Sequence, residues 1–260
     1  MSLTVDKALD LLNFFNQSRM RIGLSEFARL AKIDKATAFR LLSSLAKHGL
    51  VEQDAQTRAY RLGAATLRLA RIREASFPAA VIAAPILEVL SEQTGETAHV
   101  SLLAGQTLAT IGVVKSKKAL HVSMDAGERL PLHATASGLI CLAYQKPEER
   151  LRLLRGKLAS FTNFTATEHD AIISLAEIAA SRGYAESDQS FEAGVYGIAA
   201  PVFADNGQAC GAIAVATPSQ RITPESQTQI VKLTCAAAME LTRKLGAEPP
   251  TAYKALRRKK

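Results

Sequence analysis

Cysteine is scarce: the 260 residues hold only Cys141, Cys210 and Cys235. No two of them stand at the spacing of a metal site or a redox pair, and their apolar surroundings predict buried, reduced thiols in a cytosolic protein. No apolar run approaches the ~20 residues of a membrane span. Asp6 and Asp10 interrupt the early apolar run where a signal peptide would begin. The expectation is a cytoplasmic protein with no membrane partner. A Gly-rich phosphate loop and a Gly-x-Ser-x-Gly elbow are both missing. His99, His121 and His133 show no ligand spacing, and the first two are read as satisfied or exposed histidines on strands. No metal, cofactor or catalytic residue is therefore expected.

What is present is an uneven charge. The net charge of +8 divides into +6 over residues 1–75, −2 over 76–246 and +4 over 247–260. A basic head and a short basic tail flank a nearly neutral middle, as in a nucleic-acid-binding module joined to something else. The chain is long enough for two cores.

The most informative stretch is Ile33 to Leu62. Asp34 is placed to N-cap a helix in which Ala38, Leu41, Leu42 and Leu45 fall within an arc of about 100°, the width of a core-facing stripe. Opposite lie Ala36, Arg40, Ser43 and Lys47, flanked by Thr37 and Ser44, with Lys35 in the first turn. That outer face carries no acid. Small residues allow close approach in a major groove, Arg40 suits a guanine edge, and Lys35 and Lys47 suit phosphates.

Upstream, Thr4 to Asn16 reads as a helix with Val5, Leu9, Leu12 and Phe15, together with Ala8 and Leu11, at helical spacing. Ser25 is read as the cap of a shorter helix and as part of the same binding surface. Three residues then precede the recognition helix, as in a helix-turn-helix. Gly49 suits the left-handed position after that helix. Val51 to Gln53 and Arg58 to Leu62 read as a β-wing around a polar Asp-Ala-Gln-Thr turn, with Arg58, Tyr60 and Arg61 as further DNA candidates. Ala64 to Ser76 reads as a basic linker helix ending near Pro78.

From Ala79 a helix runs to Gly95. Strands are expected at Thr97 to Leu103, Thr107 to Val114 and Ala119 to Met124, the first two as a hairpin over Ala-Gly-Gln. An apolar helix follows the loop GERLPLHATASG. A short helix covers Glu148 to Arg155, and Thr167 and Asp170 form an expected capping box for another. Two strands, Gly197 to Ala204 and Gln208 to Ala216, flank an Asp-Asn-Gly turn, and Thr223 with Pro224 opens the last helix. Strands clustered between helices predict an α+β domain with an antiparallel sheet. The basic tail is expected to be disordered.

The segments LSEFARLAKIDKATAFRLLSSLAKHGLVEQ with YRLG, GERLPLHATASG, RGYAESDQSFEAGVYGIAAPVF and GAIAVATPSQRIT together resemble the IclR-type transcriptional regulators. The resemblance spans roughly residues 3–245. It implies a winged helix-turn-helix at 1–62, a linker helix at 63–78, a GAF-like effector-binding and oligomerisation domain at 79–246, and a tail at 247–260. It also implies a double-stranded DNA operator, a small-molecule effector and a homodimer or dimer of dimers. The effector residues it implies are Met124, Gly127, Leu130, His133, Ala134, Thr135, Ser187, Asp188, Phe191, Gly197, Ala214 and Ala216.

The chain departs from the family where Asp is common at 187, acids at 189 and 190, Cys at 197, and Ser at 214 and 216. Those positions have lost charge, thiol or hydroxyls. Each unpaired buried polar group on a ligand costs about 1–3 kcal/mol. The expected effector has an apolar body and one polar end, such as an aromatic acid or a related amide or acyl compound. Met124, Leu130 and Phe191 would flank the body, and the amides around Ala134 and Thr135 would receive the polar end. The first functional reading is a repressor of a catabolic operon released by its ligand, and the second is a ligand-controlled activator. A nucleic-acid binder without a ligand, and an enzyme keeping a vestigial DNA-binding head, are the readings from other classes.

Overall fold

Of the residues read at helical spacing, Leu11 is the buried one on helix α1 (Leu3–Leu12), with Ala8 and Leu12 packed half-buried beside it. The helix stops before the expected Asn16, which lies outside the residues described by this computed structural model: 3–15, 19–76 and 79–258. Val5 and Leu9, expected to face inward, are exposed. Helix α2 (Leu24–Ala31) is preceded by Gly23 at the N-cap, so Ser25 lies exposed in its first turn and does not cap it. Lys32 takes a left-handed conformation at the end of α2 and turns the chain into helix α3 (Lys35–Lys47). Asp34 caps α3 as expected, accepting from the Thr37 amide at 2.8 Å. Leu41, Leu42 and Leu45 bury against Leu11, Ile22 and Phe27.

Strands β1 (Val51–Gln53) and β2 (Tyr60–Leu62) pair antiparallel as the wing. Gly49, at φ 68°, makes the reversal after α3. Helix α4 (Ala64–Ser76) follows. The chain divides into two units, 1–77 and 78–260.

In the second unit, six antiparallel strands lie in the order β5-β4-β3-β8-β7-β6. They are β3 (Thr97–Ala104), β4 (Thr107–Val114), β5 (Arg129–Pro131), β6 (Ala185–Asp188), β7 (Val195–Phe203) and β8 (Ala209–Pro218). Because side chains alternate across a sheet, Ile213 and Val215 of β8 join the core under helices α5 (Ala79–Thr94) and α9 (Pro224–Lys244). Ala212 and Ala214 join the opposite core, under α6 (Ala136–Ala143) and α8 (His169–Arg182). The short α7 (Pro147–Leu153) completes that side through Leu153. Thr223 caps α9 in a full capping box with Ser226.

Three expectations fail here. Residues 119–124 form no strand, because β5 takes the free edge of β4 through Leu108 opposite Leu130. The segment is tied instead by side chains: Thr97 Oγ1 donates to the Val122 carbonyl at 2.7 Å, and Arg221 Nη1 to the Leu120 carbonyl at 2.9 Å. His121 therefore lies on no strand. The Thr167–Asp170 capping box is absent, since Glu168 holds the N-cap position of α8 without a side-chain bond. The tail is ordered through Arg258 as helix α10 (Thr251–Arg258). Tyr253 anchors it, packing edge-on to Phe203 at 5.1 Å and Tyr144 at 5.8 Å, where one buried aromatic outweighs the cationic sequence around it.

Candidate functional site

On α3, Lys35, Ala36, Arg40, Ser43 and Lys47 are exposed together, with Thr37 half-buried beside them. Phe39, 47% exposed, shares this surface, an apolar contribution that the sequence reading passed over. Thr37 Oγ1 donates to Asp34 Oδ2 at 2.7 Å and accepts from Arg40 Nη2 at 3.3 Å, which aims the guanidinium along the helix. The Thr37 hydroxyl and amide, both donating to it, hold the Asp34 carboxyl below its ordinary range. The wing differs from expectation at two residues. Tyr60 is 2% exposed and stacks edge-on to Phe27 at 6.1 Å, so it belongs to the core and has no outward surface to offer. Arg61 is paired with Glu52 at 3.2 Å, while Arg58 stays exposed at the turn with φ 58°.

In the second unit, a cavity of about 590 Å³, open mouth included, lies between the sheet and the start of α6. Neighbouring strands supply its floor. Ser187 pairs with Gly197, Gly197 with Ala216, and Ala214 with both Ala199 and His99. Met124, Leu130 and Phe191 stand in the wall, and Ala134, Thr135, Ala136 and Ser137 bring the first turn of α6 to it. Thr135 caps that turn, accepting from the Gly138 amide at 3.0 Å. The Leu139 amide goes to the Thr135 carbonyl, leaving Ala136 and Ser137 with the first-turn amides that lack an intrahelical acceptor. Gly138 is needed here: a Cβ at that position would lie 2.3 Å from the Leu132 carbonyl oxygen.

Nine of the twelve implied effector residues line this cavity, and Gly127, His133 and Asp188 do not. Gly127 sits in the turn before β5, its amide donating to the Thr110 carbonyl at 2.7 Å. His133 turns to the Ala159 carbonyl at 2.8 Å and lies against Phe161, which in turn packs on Phe191 at 4.9 Å. It acts on the cavity only by holding this loop. Asp188 is exposed and accepts from Ser219 Oγ at 3.3 Å.

His99 is what the sequence reading missed. It is 6% exposed, lines the cavity, and has an Nδ1 with no hydrogen-bond partner. Its Nε2 lies 3.3 Å from Ser137 Oγ. Burial lowers its pKa to about 4, so the ring is neutral at pH 7. The signal was present in β3, where Thr97, His99 and Ser101 alternate with Ala98, Val100 and Leu102: one face of that strand is polar though buried. Val122, Ser123, Val195, Glu128 and Glu192 also line the cavity. The Glu128 carboxyl is pushed up chiefly by partial burial, with the negative charges of Asp125 and Glu192 adding to it. Cys141 is buried and its thiol is pushed far up by desolvation, an unreactive state. Among the described residues no cluster of His, Cys, Asp or Glu is arranged to hold a metal, and no helix is long and apolar enough to cross a membrane.

The family model for the IclR helix-turn-helix domain matches residues 4–55, and that for the bacterial transcriptional regulator IclR C-terminal domain matches residues 75–243. The chain belongs to the IclR family. Its relatives include the regulator BhcR of Paracoccus denitrificans, 31% identical with 92% of this chain and 85% of that protein covered. XynR of Escherichia coli is 28% identical, covering 94% and 97%. An IclR transcriptional regulator from Silicibacter sp. TM1040 superposes with a TM-score of 0.80 at 42% identity, covering 96% of this chain and 98% of that one. IclR proteins are DNA-binding transcriptional regulators with a ligand-binding C-terminal domain, and this chain is accordingly a regulator and not an enzyme.

Proposed function

We propose that this IclR protein is a cytoplasmic, ligand-released repressor of a catabolic operon, working as a homodimer or dimer of dimers. The observation that carries the reading is the largely apolar cavity at the start of α6, in a unit separate from the one bearing the acid-free face of α3. Lys35, Ala36, Thr37, Arg40, Ser43 and Lys47 face the major groove, and Arg58 reaches the backbone from the wing. Arg61 does so only by leaving Glu52. Val5 and Leu9 on α1, and Leu67 and Leu69 on α4, are exposed apolar side chains available for self-association.

The ligand has an apolar body between Met124, Leu130 and Phe191, and one polar end at the first turn of α6. An aromatic acid or a related amide or acyl compound has this form. The IclR homologue of Microbacterium hydrocarbonoxydans, which shares the fold at 24% identity, was crystallised with 4-hydroxybenzoate. Ligand binding must favour one arrangement of the DNA-binding heads over another, because equal affinity for both would shift nothing.

The test has two parts. A metabolite pool is screened by thermal shift, since only a ligand that binds the folded state raises the melting temperature. Hits are then added to the protein bound to its own upstream DNA, followed by fluorescence anisotropy. Release supports the repressor reading, and tightening on DNA overturns it. Calorimetry that ranks short hydroxy or keto acids above aromatic compounds would overturn the ligand class.

A further inference from the structure

We propose that His99 selects the polar end of the effector, and that this end is an uncharged amide or acyl function rather than a carboxylate. The inference rests on the reading of this cavity as the effector site.

Nδ1 of His99 is a buried polar atom without a partner, a state that costs free energy until a ligand supplies the missing bond. The ring is held by its other nitrogen to Ser137, at the same first turn of α6 where the amides of Ala136 and Ser137 point out of the helix. A polar end seated there meets two amide donors and, once it displaces the packing that covers Nδ1, one imidazole nitrogen. With Nε2–H donating to Ser137 Oγ, Nδ1 is an acceptor. A primary amide then matches the whole set, its carbonyl on the helix amides and its N–H on Nδ1. With the hydroxyl of Ser137 donating instead, Nδ1–H becomes a donor and an acyl oxygen is satisfied.

A carboxylate fares worse. No lysine or arginine lines the cavity, and its two ionisable groups besides His99 are the acids Glu128 and Glu192 near the mouth. A buried anion would find at most three neutral donors and no counter-charge beyond the partial charge of one helix end, so its desolvation would be only partly compensated.

Calorimetry on the full-length protein at pH 7.5 decides this with matched probes: benzamide against benzoate, phenylacetamide against phenylacetate, and isobutyramide against isobutyrate. The amide is expected to bind more tightly by about tenfold in any pair that binds, the effect of one hydrogen bond made or lost. That comparison needs no variant to fold. His99→Leu should lower amide affinity by a similar factor and narrow the gap between the partners. His99→Asn, which places an amide near the site of Nδ1, should restore most of it. Equal or tighter binding of the carboxylates overturns the inference and leaves the effector site standing, as does undiminished amide binding by His99→Leu. If no probe binds and no metabolite in the thermal-shift screen stabilises the protein, the effector reading falls with it.

Discussion

The two functional regions of this protein are built on opposite principles. The α3 face is exposed and cationic, and its side chains keep most of their water: Lys47 is exposed, and Arg40 is exposed apart from one bond to the Thr37 hydroxyl. The cavity is buried and carries no positive side chain, and its one neutral histidine has given up its water without a full set of partners. A surface of the first kind attracts any polyanion and gains specificity only from a few groups that touch bases. A site of the second kind binds little except what restores its lost bonds. On the proposed reading, attraction to DNA and base reading share α3, and discrimination among ligands belongs to the cavity.

The sharpest way to break that comparison is to remove one core while leaving the other. Phe27 is fully buried and meets Phe14, Phe15 and Tyr60 edge-on. Phe27→Ala should cost the first unit about 3–5 kcal/mol. Specific DNA binding, followed by anisotropy, should be lost at temperatures where calorimetry still finds ligand bound. Loss of both together would show that the units do not act as separate cores.

The cavity has a pH signature of its own. The His99 pKa of about 4 lies below the unfolded value of 6.5, so the unfolded chain takes up a proton first as pH falls. Stability from this group is therefore intact above about pH 6.5, declines as pH falls toward 4 and levels off below it, for a total of up to about 3 kcal/mol. Urea unfolding of the effector unit between pH 7.5 and 4.5 should show the decline, and His99→Asn should flatten it. An unchanged slope in the variant would place the effect elsewhere.

These two regions were not equally legible in the sequence. The α3 face could be read because a helix with one apolar stripe declares its other side: Ala38, Leu41, Leu42 and Leu45 are the buried residues, and the opposite face follows by rotation. The cavity depends on register between strands distant in sequence. Nothing local shows that His99 stands beside Ala214 or that Ser187 stands beside Gly197. Family resemblance supplied most of the lining, but it included His133, which points to the Ala159 carbonyl, and did not include His99. Charge misled at both ends. Tyr60, between arginines, looked like wing surface and is core, and the basic tail looked disordered although Tyr253 seats it. Composition describes the average environment of a segment, while one buried aromatic decides where the segment lies.

Within the α3 face, Arg40 carries the next largest effect. Arg40→Ala should weaken binding to the specific operator by about 1–3 kcal/mol and relax the base preference at one position. Competition against random DNA measures it. An equal loss on operator and random sequence would make Arg40 a phosphate contact.

Lys47 should show the smallest effect and the most diagnostic one. It lies at the C-terminal end of α3, exposed and one turn beyond the residues best placed for base edges. A lysine there neutralises a phosphate and releases about one counterion, so its contribution belongs to every sequence alike. Lys47→Ala should lower affinity for operator and random DNA by the same modest factor and reduce the slope of log affinity against log salt by about 1. Ligand affinity in the cavity should not change, because that site carries no complementary charge to lose. A loss confined to the operator would move Lys47 into the group that reads sequence with Arg40, and the line between steering and base reading within α3 would have to be redrawn.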